Sequence, residues 1–147
     1  MGANDGIVST AAMVIGAAGA AVSDAALLAA GVAAVVAGAM SMAVGEFVAV
    51  SSQRDSQRAE LEQERAQLTE DPASELEQLT QLIQAQGIDR TLAYQVAIQL
   101  TERDPLTAHA RLELGIDPKG LTNPWHAALA SMPAFVIGGV IPLAALR

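Results

Sequence analysis

Cysteine is absent from the 147 residues of the chain. That excludes disulfides and thiolate metal sites together, and leaves oxygen, imidazole and thioether as metal donors. Charge is missing from three long stretches. No Asp, Glu, Lys or Arg occurs from Gly6 to Ser23, from Ala25 to Gly45 or from Gly120 to Leu146, windows of 18, 21 and 27 residues. Each is about as long as the ~20 residues a helix needs to cross a bilayer core. The first window has no basic residue ahead of it and a second apolar window follows almost at once, which is unlike a cleaved signal peptide. Also missing are a strand pattern, an internal repeat, a phosphate-binding glycine loop and any serine with a histidine nearby. No enzyme is expected.

What is present is concentrated in the middle. Twenty of the 24 charged residues fall between Arg54 and Lys119. The chain therefore reads as all-α: a hairpin of two membrane helices over 1–50, an acidic helical insert over 51–122, and a third membrane helix over 123–147. The insert holds seven Lys or Arg against thirteen Asp or Glu, a net charge of −6. Such a balance suits divalent cations and not nucleic acid, which rewards basic faces. Iron, manganese or zinc fits the donors available. The turn at Ser23 and Asp24 carries no Lys or Arg, whereas the insert opens with Arg54, Arg58 and Arg65 and closes with Lys119, so the positive-inside rule puts 51–122 in the cytoplasm. The alanine-rich composition favours a bacterial inner membrane.

Within the first window, Gly16 and Ala20 have the small-xxx-small spacing that lets membrane helices pack backbone to backbone, and Ala34 and Gly38 repeat it in the second. The segment GAMSMAVGEF, residues 38–47, ends that second window. As a helix it places Gly38, Met42 and Glu46 on one face, joining a close-packing site, a soft thioether and an anionic oxygen. Asp5 lies 19 residues before Asp24 and Met42 lies 18 after it, so both sit about 27 Å from the turn at 1.5 Å per residue. Asp5, Met42 and Glu46 are thus candidate ligands at the inner mouth, since a carboxylate at membrane depth is a functional candidate by default. In the third window Trp125 marks an interface, and Pro133, Pro142, Gly138 and Gly139 suggest a kinked or closely packed span.

The insert reads as three or four short helices. Gln53 to Thr69 continues the second span until Asp71 and Pro72 break it. Ala73 to Ala85 repeats Leu76, Leu79 and Ile83; Asp89 to Arg103 buries Leu92, Val96 and Leu100; Leu106 to Leu114 ends before Gly115. Glu60 and Glu64 are four apart, Glu75 begins the second of these helices, and His109 and Glu113 are again at i and i+4. Carboxylates and an imidazole on facing helices can hold iron or manganese, although taken singly each glutamate more often belongs to a solvated face.

The segments GANDGIVSTAAMVIG (2–16), AGAMSMAVGEFVAVSSQRD (37–55), ARLELGI (110–116) and NPWHAALASMPAFVIGGVIPL (123–143) together resemble the vacuolar iron transporter family over essentially the full chain. The resemblance implies a homodimer with five membrane helices per subunit, an ion path between subunits, and a cytoplasmic metal-binding domain after the second helix. It implies export of ferrous iron, in some members manganese, from the cytosol in exchange for protons. The family's first-helix aspartate matches Asp5 and its second-helix methionine Met42, with Gly38 and Glu46 in the same motif. Its ExxE pairs match at Glu64 and Glu75, but their second members are Gln67 and Gln78 here. Glu113 matches the glutamate before LGI, and His109 stands where some members have methionine. Against that pattern the chain reads as a fragment without the last two membrane helices. A membrane-tethered metal buffer or sensor without transport is the alternative function.

Overall fold

The computed structural model describes residues 2–146. Among these there are six α-helices and no strand: α1 (Gly2–Gly19), α2 (Asp24–Glu70), α3 (Pro72–Gln84), α4 (Arg90–Arg103), α5 (Pro105–Leu112) and α6 (Pro124–Ala144). They form two compact units, one of residues 1–52 with 122–147 and one of residues 53–121.

Local chemistry sets the boundaries. Between α1 and α2 the chain turns through Ala21, whose φ is 53°, and the Ser23 hydroxyl accepts the Ala26 N–H at 3.3 Å to start α2. α2 then runs 47 residues, about 70 Å of helix at 1.5 Å per residue. No proline interrupts it until Pro72, which bars Asp71 from the helical region, and Asp71 leaves the helix at φ −140° and ψ 74°. The next three helices start on aspartate caps. Asp71 accepts from Ser74 N at 3.1 Å, Asp89 from Thr91 N and Leu92 N at 2.9 and 3.2 Å, and Asp104 from Thr107 N at 3.1 Å. Proline occupies the first turn of α3, α5 and α6, where a missing N–H costs nothing. Asn123 caps α6 through Trp125 N at 2.9 Å.

In the first unit α1 lies against α6 so closely that two glycines are obligatory. A Cβ on Gly6 would run into the Phe135 carbonyl, and one on Gly138 into the Ala3 carbonyl. This is small-residue packing of membrane type, but between other residues than the spacing suggested. Gly16 has nothing within 4 Å of its Cβ position, and α1 stops at Gly19, leaving Ala20 in the turn. Gly38 does pack as expected: it lies beneath the ring of Phe135, and Val35, Ala39 and Phe135 form the buried centre. The outward faces remain apolar, with Ile15 71%, Val44 64%, Leu129 63% and Ile137 66% exposed, far more apolar surface than a protein bathed in water normally presents. Two helices, α2 and α6, are long and apolar enough to cross a membrane.

The second unit packs α3 on α4 and α5. Leu79, Ile83, Ala93, Ala97 and Ala108 form one buried apolar cluster; Leu61, Ala110 and Ile116 form another. Leu92, expected inside, is 49% exposed, and α4 turns Ala93 and Ala97 inward instead, with Val96 and Leu100 at the margin. Small side chains at that seam let α3 and α4 approach closely.

Candidate metal centre

The interior of the second unit is interrupted by charge. Glu64 projects from the polar half of α2 one turn after the buried Leu61, Glu75 from the first turn of α3 one turn before Leu79, and His109 from α5 between Ala108 and Ala110. The apolar neighbours fix each helix, and the helices then carry three polar groups inward. Glu64 is 2%, Glu75 7% and His109 1% exposed.

The imidazole is the hub. His109 Nδ1 lies 3.0 Å from Glu64 Oε1, 3.6 Å from Glu75 Oε2 and 3.5 Å from Glu113 Oε2. One ligand atom from each of Glu64, Glu75 and His109 falls within 4.8 Å of the other two. Only the contact with Glu113, one turn on at the C-cap of α5, has hydrogen-bond geometry, and Glu64 Oε1 has no hydrogen-bond partner despite its 3.0 Å approach. His109 Nε2 is likewise buried without a partner among the described residues.

These orphaned atoms are costly, because a buried polar group without a hydrogen bond forfeits about 1–3 kcal/mol. Burial is the main reason the Glu64 carboxyl is pushed above the usual glutamate range. The Glu113 charge adds to the shift, His109 opposes it, and Glu75 adds to it again. A cation placed among the carboxylates would reverse that balance and give Glu64 Oε1 its missing partner. Two buried carboxylates and an imidazole, with Glu113 at the edge, are donors that suit divalent iron, manganese or zinc.

Not every residue marked in the sequence joins the cluster. Glu60 lies on the exposed side of α2, where Ser56 Oγ donates to it at 3.4 Å. Gln67 is exposed, and Gln78 is half-buried on α3. In the first unit, Met42 lays its thioether against Gly2, so that a Cβ there would be 3.1 Å from Met42 Cε and 3.2 Å from Sδ. Met42 thus lies beside the first residue of α1, three positions before Asp5. Asp5 is exposed, and Glu46 is half-buried one helical turn beyond Met42. What the sequence hid was the rank of His109: a lone histidine on a short helix gives no sign of being the centre. The one local signal was Glu113 at i+4.

Two comparisons bear on these residues. A family model described as VIT family matches residues 1–146. Over 98 residues, 67% of this chain, the sequence is 46% identical to a protein of Acanthamoeba castellanii named vacuolar iron transporter. The matched stretch spans 38% of that relative's length.

Proposed function

The chain belongs to the VIT family, and we propose on that footing that it handles a divalent metal ion as cargo, ferrous iron first and manganese second, for movement out of the cytosol. In this reading α1, the apolar half of α2 and α6 are three membrane spans, residues 51–122 are cytoplasmic, and the membrane is a bacterial inner membrane. Two copies pair so that the ion passes between them in exchange for protons. The observation that carries it is the buried Glu64, Glu75 and His109 cluster with Glu113 at its edge, in which a carboxylate oxygen lacks any hydrogen-bond partner. The name of the 46% identical relative, vacuolar iron transporter, supports iron as the ion.

The two units divide the work. The acidic unit captures the ion by exchanging a poorly paired anionic pocket for a coordinated cation. Asp5, Met42 and Glu46 then receive it at the inner mouth: the carboxylates supply charge, and the thioether supplies a soft donor that holds iron weakly enough to release it. The α1 helix, 18 residues long, covers about 27 Å, close to the ~30 Å hydrocarbon thickness.

The test is anaerobic calorimetric titration of the full chain in detergent with Fe2+, beside a Glu64→Ala, Glu113→Ala double variant, followed by Fe2+ flux into vesicles. Binding in the parent, its loss in the double variant and flux that Met42→Ala abolishes are the expected results. Binding without flux would leave a membrane-tethered buffer or sensor. No binding in the parent would end the metal reading of the cluster.

A further inference from the structure

Resting on the reading of α6 as a membrane span, we propose that a cavity ringed by Arg103, Arg111 and Lys119 in the second unit binds the phosphate of an acidic phospholipid headgroup.

The charge of this unit is spread unevenly. Residues 53–121 hold seven Lys or Arg against thirteen Asp or Glu, yet three of the seven cations converge on one cavity of about 520 Å3. They reach it from three places in the fold: Arg103 from the last turn of α4, Arg111 from α5 and Lys119 from the turn after Asp117. Leu100, Ala108 and Leu112 supply an apolar floor. The volume lies within the range of small-ligand sites, ~300–1,000 Å3. A cationic rim over carbon suits an anion that carries an apolar body.

The acids nearby do not cancel these cations. Among the described residues Arg103 has no ion-pair partner. Arg111 meets Asp117 at 3.2 Å and Lys119 meets Asp104 at 3.5 Å, with all four side chains 40% or more exposed, and such exposed pairs hold weakly against a competing anion. Asp104, the one carboxylate lining the cavity, is committed to α5: Oδ1 accepts Thr107 N at 3.1 Å and Oδ2 accepts Thr107 Oγ1 at 2.8 Å. It caps the helix and keeps the Lys119 ammonium at the rim. A guanidinium offers a phosphate two parallel N–H donors where lysine offers a point charge, so Arg103 and Arg111 form the grip.

The chain itself indicates the source of the phosphate. Lys119 stands four positions before Asn123, the cap of α6, and Lys or Arg clustered immediately cytoplasmic of a span attracts acidic lipids. Sequence order puts only Lys119 there; the fold adds Arg103 and Arg111 to it. With a net charge of −6, the unit as a whole gains nothing from an anionic surface. The attraction is confined to this cavity, and a headgroup held in it tethers the acidic unit to the leaflet.

The experiment is calorimetric titration of the full chain in neutral detergent with short-chain phosphatidylglycerol, phosphatidylcholine of the same chain length, and inorganic phosphate. An Arg103→Gln, Arg111→Gln double variant is compared with Arg65→Gln, Arg90→Gln, which removes the same charge outside the cavity. Each cation beside an acidic lipid is worth about fivefold in affinity. The first double variant should therefore lose about 25-fold for phosphatidylglycerol, while the second binds like the parent. Lys119→Gln, at a side chain 76% exposed, should lose about fivefold with its thermal melt unchanged, a readout that does not depend on the double variant folding. Inorganic phosphate that binds as tightly as the lipid, with the same loss in the first variant, would assign the cavity to a free anion and overturn the lipid source. Equal loss in both double variants, no loss in Lys119→Gln, or no preference for phosphatidylglycerol over phosphatidylcholine would overturn the site. A chain that stays dissolved without detergent would overturn the membrane reading instead, a failure seen before any lipid is added.

Discussion

Replacing Glu64 by glutamine should move stability and metal binding in opposite directions. The side chain is 2% exposed, its Oε1 accepts no hydrogen bond, and Glu75, Glu113 and His109 crowd it. The amide keeps the shape, removes the buried charge and brings N–H donors toward the two other carboxylates. The metal-free variant should therefore gain about 1–3 kcal/mol, the usual size of a relieved buried polar group. For a unit of residues 53–121, each kcal/mol corresponds to roughly 4–8 °C in the melting midpoint. Metal binding should fall at least about 100-fold, beyond the range set by partners that merely orient a ligand. Thermal melts of the full chain in detergent, with and without Fe2+, test both. The parent should melt low without metal and rise with it, while the variant starts higher and stays there. A variant that melts lower than the parent and responds equally to Fe2+ would refute the reasoning, because Glu64 would then be a structural residue whose charge the fold needs.

Acidity should act through the same carboxyl. Because burial raises its affinity for a proton above the ordinary glutamate value of 4.5, its own contribution to the stability of the metal-free protein is full below that value and is lost as pH rises through the shifted one. Fe2+ or Zn2+ affinity climbs over the same interval as the proton leaves, which calorimetry in buffers of different ionisation enthalpy would detect as released protons. Asp71→Ala removes the cap that accepts Ser74 N at 3.1 Å, so a loss of about 1 kcal/mol is expected in thermal melts. Weaker metal binding should accompany it, since Glu75 sits in the same first turn of α3. Gly138→Val drives a branched side chain into the Ala3 carbonyl. It should cost about 1–3 kcal/mol or more by overpacking, seen as a lower melting midpoint with Fe2+ binding by the second unit retained.

Much of the helix plan was legible because its signals are local. Asp71 with Pro72, Asp89, and Asp104 with Pro105 each terminate or start a helix through a side chain that bonds within three residues. The continuity of α2 through Gln53 followed from the absence of any breaker before Pro72. Packing partners were not legible. Gly16 and Ala20 have the right spacing, yet Gly6 and Gly138 make the contact, and those two are separated by 132 positions in the sequence. Spacing identifies a small face but not the neighbour that will use it. The i, i+4 repeat of Leu92, Val96 and Leu100 points Leu92 inward. Yet the close α3–α4 seam selects for volume, and Ala93 and Ala97 are the residues that fit.

The candidate metal centre was half legible for a related reason. Its members were identifiable as residue types, while their relative importance depended on convergence of helices that begin at Asp24, Pro72 and Pro105. That convergence also explains how the unit tolerates buried like charges. His109 lies between Ala108, part of the apolar cluster around Leu79 and Ile83, and Ala110, part of the one around Leu61 and Ile116. The carboxylates follow the same plan, with Glu64 next to the second cluster along α2 and Glu75 next to the first along α3. Each helix is therefore anchored by carbon on one side of its charged residue, and the orphaned Glu64 oxygen can persist without dissolving the fold. The same apolar walls keep water from screening the site, which makes a cation there worth more than on the surface. A cation bound there would stabilise the unit by mass action, about 2.7 kcal/mol when free metal reaches 100 times the dissociation constant. A pocket that is strained when empty and relieved when filled binds through the difference between those two states. Under the proposed function the Glu64 variant, stable and unresponsive, is the form in which delivery should fail.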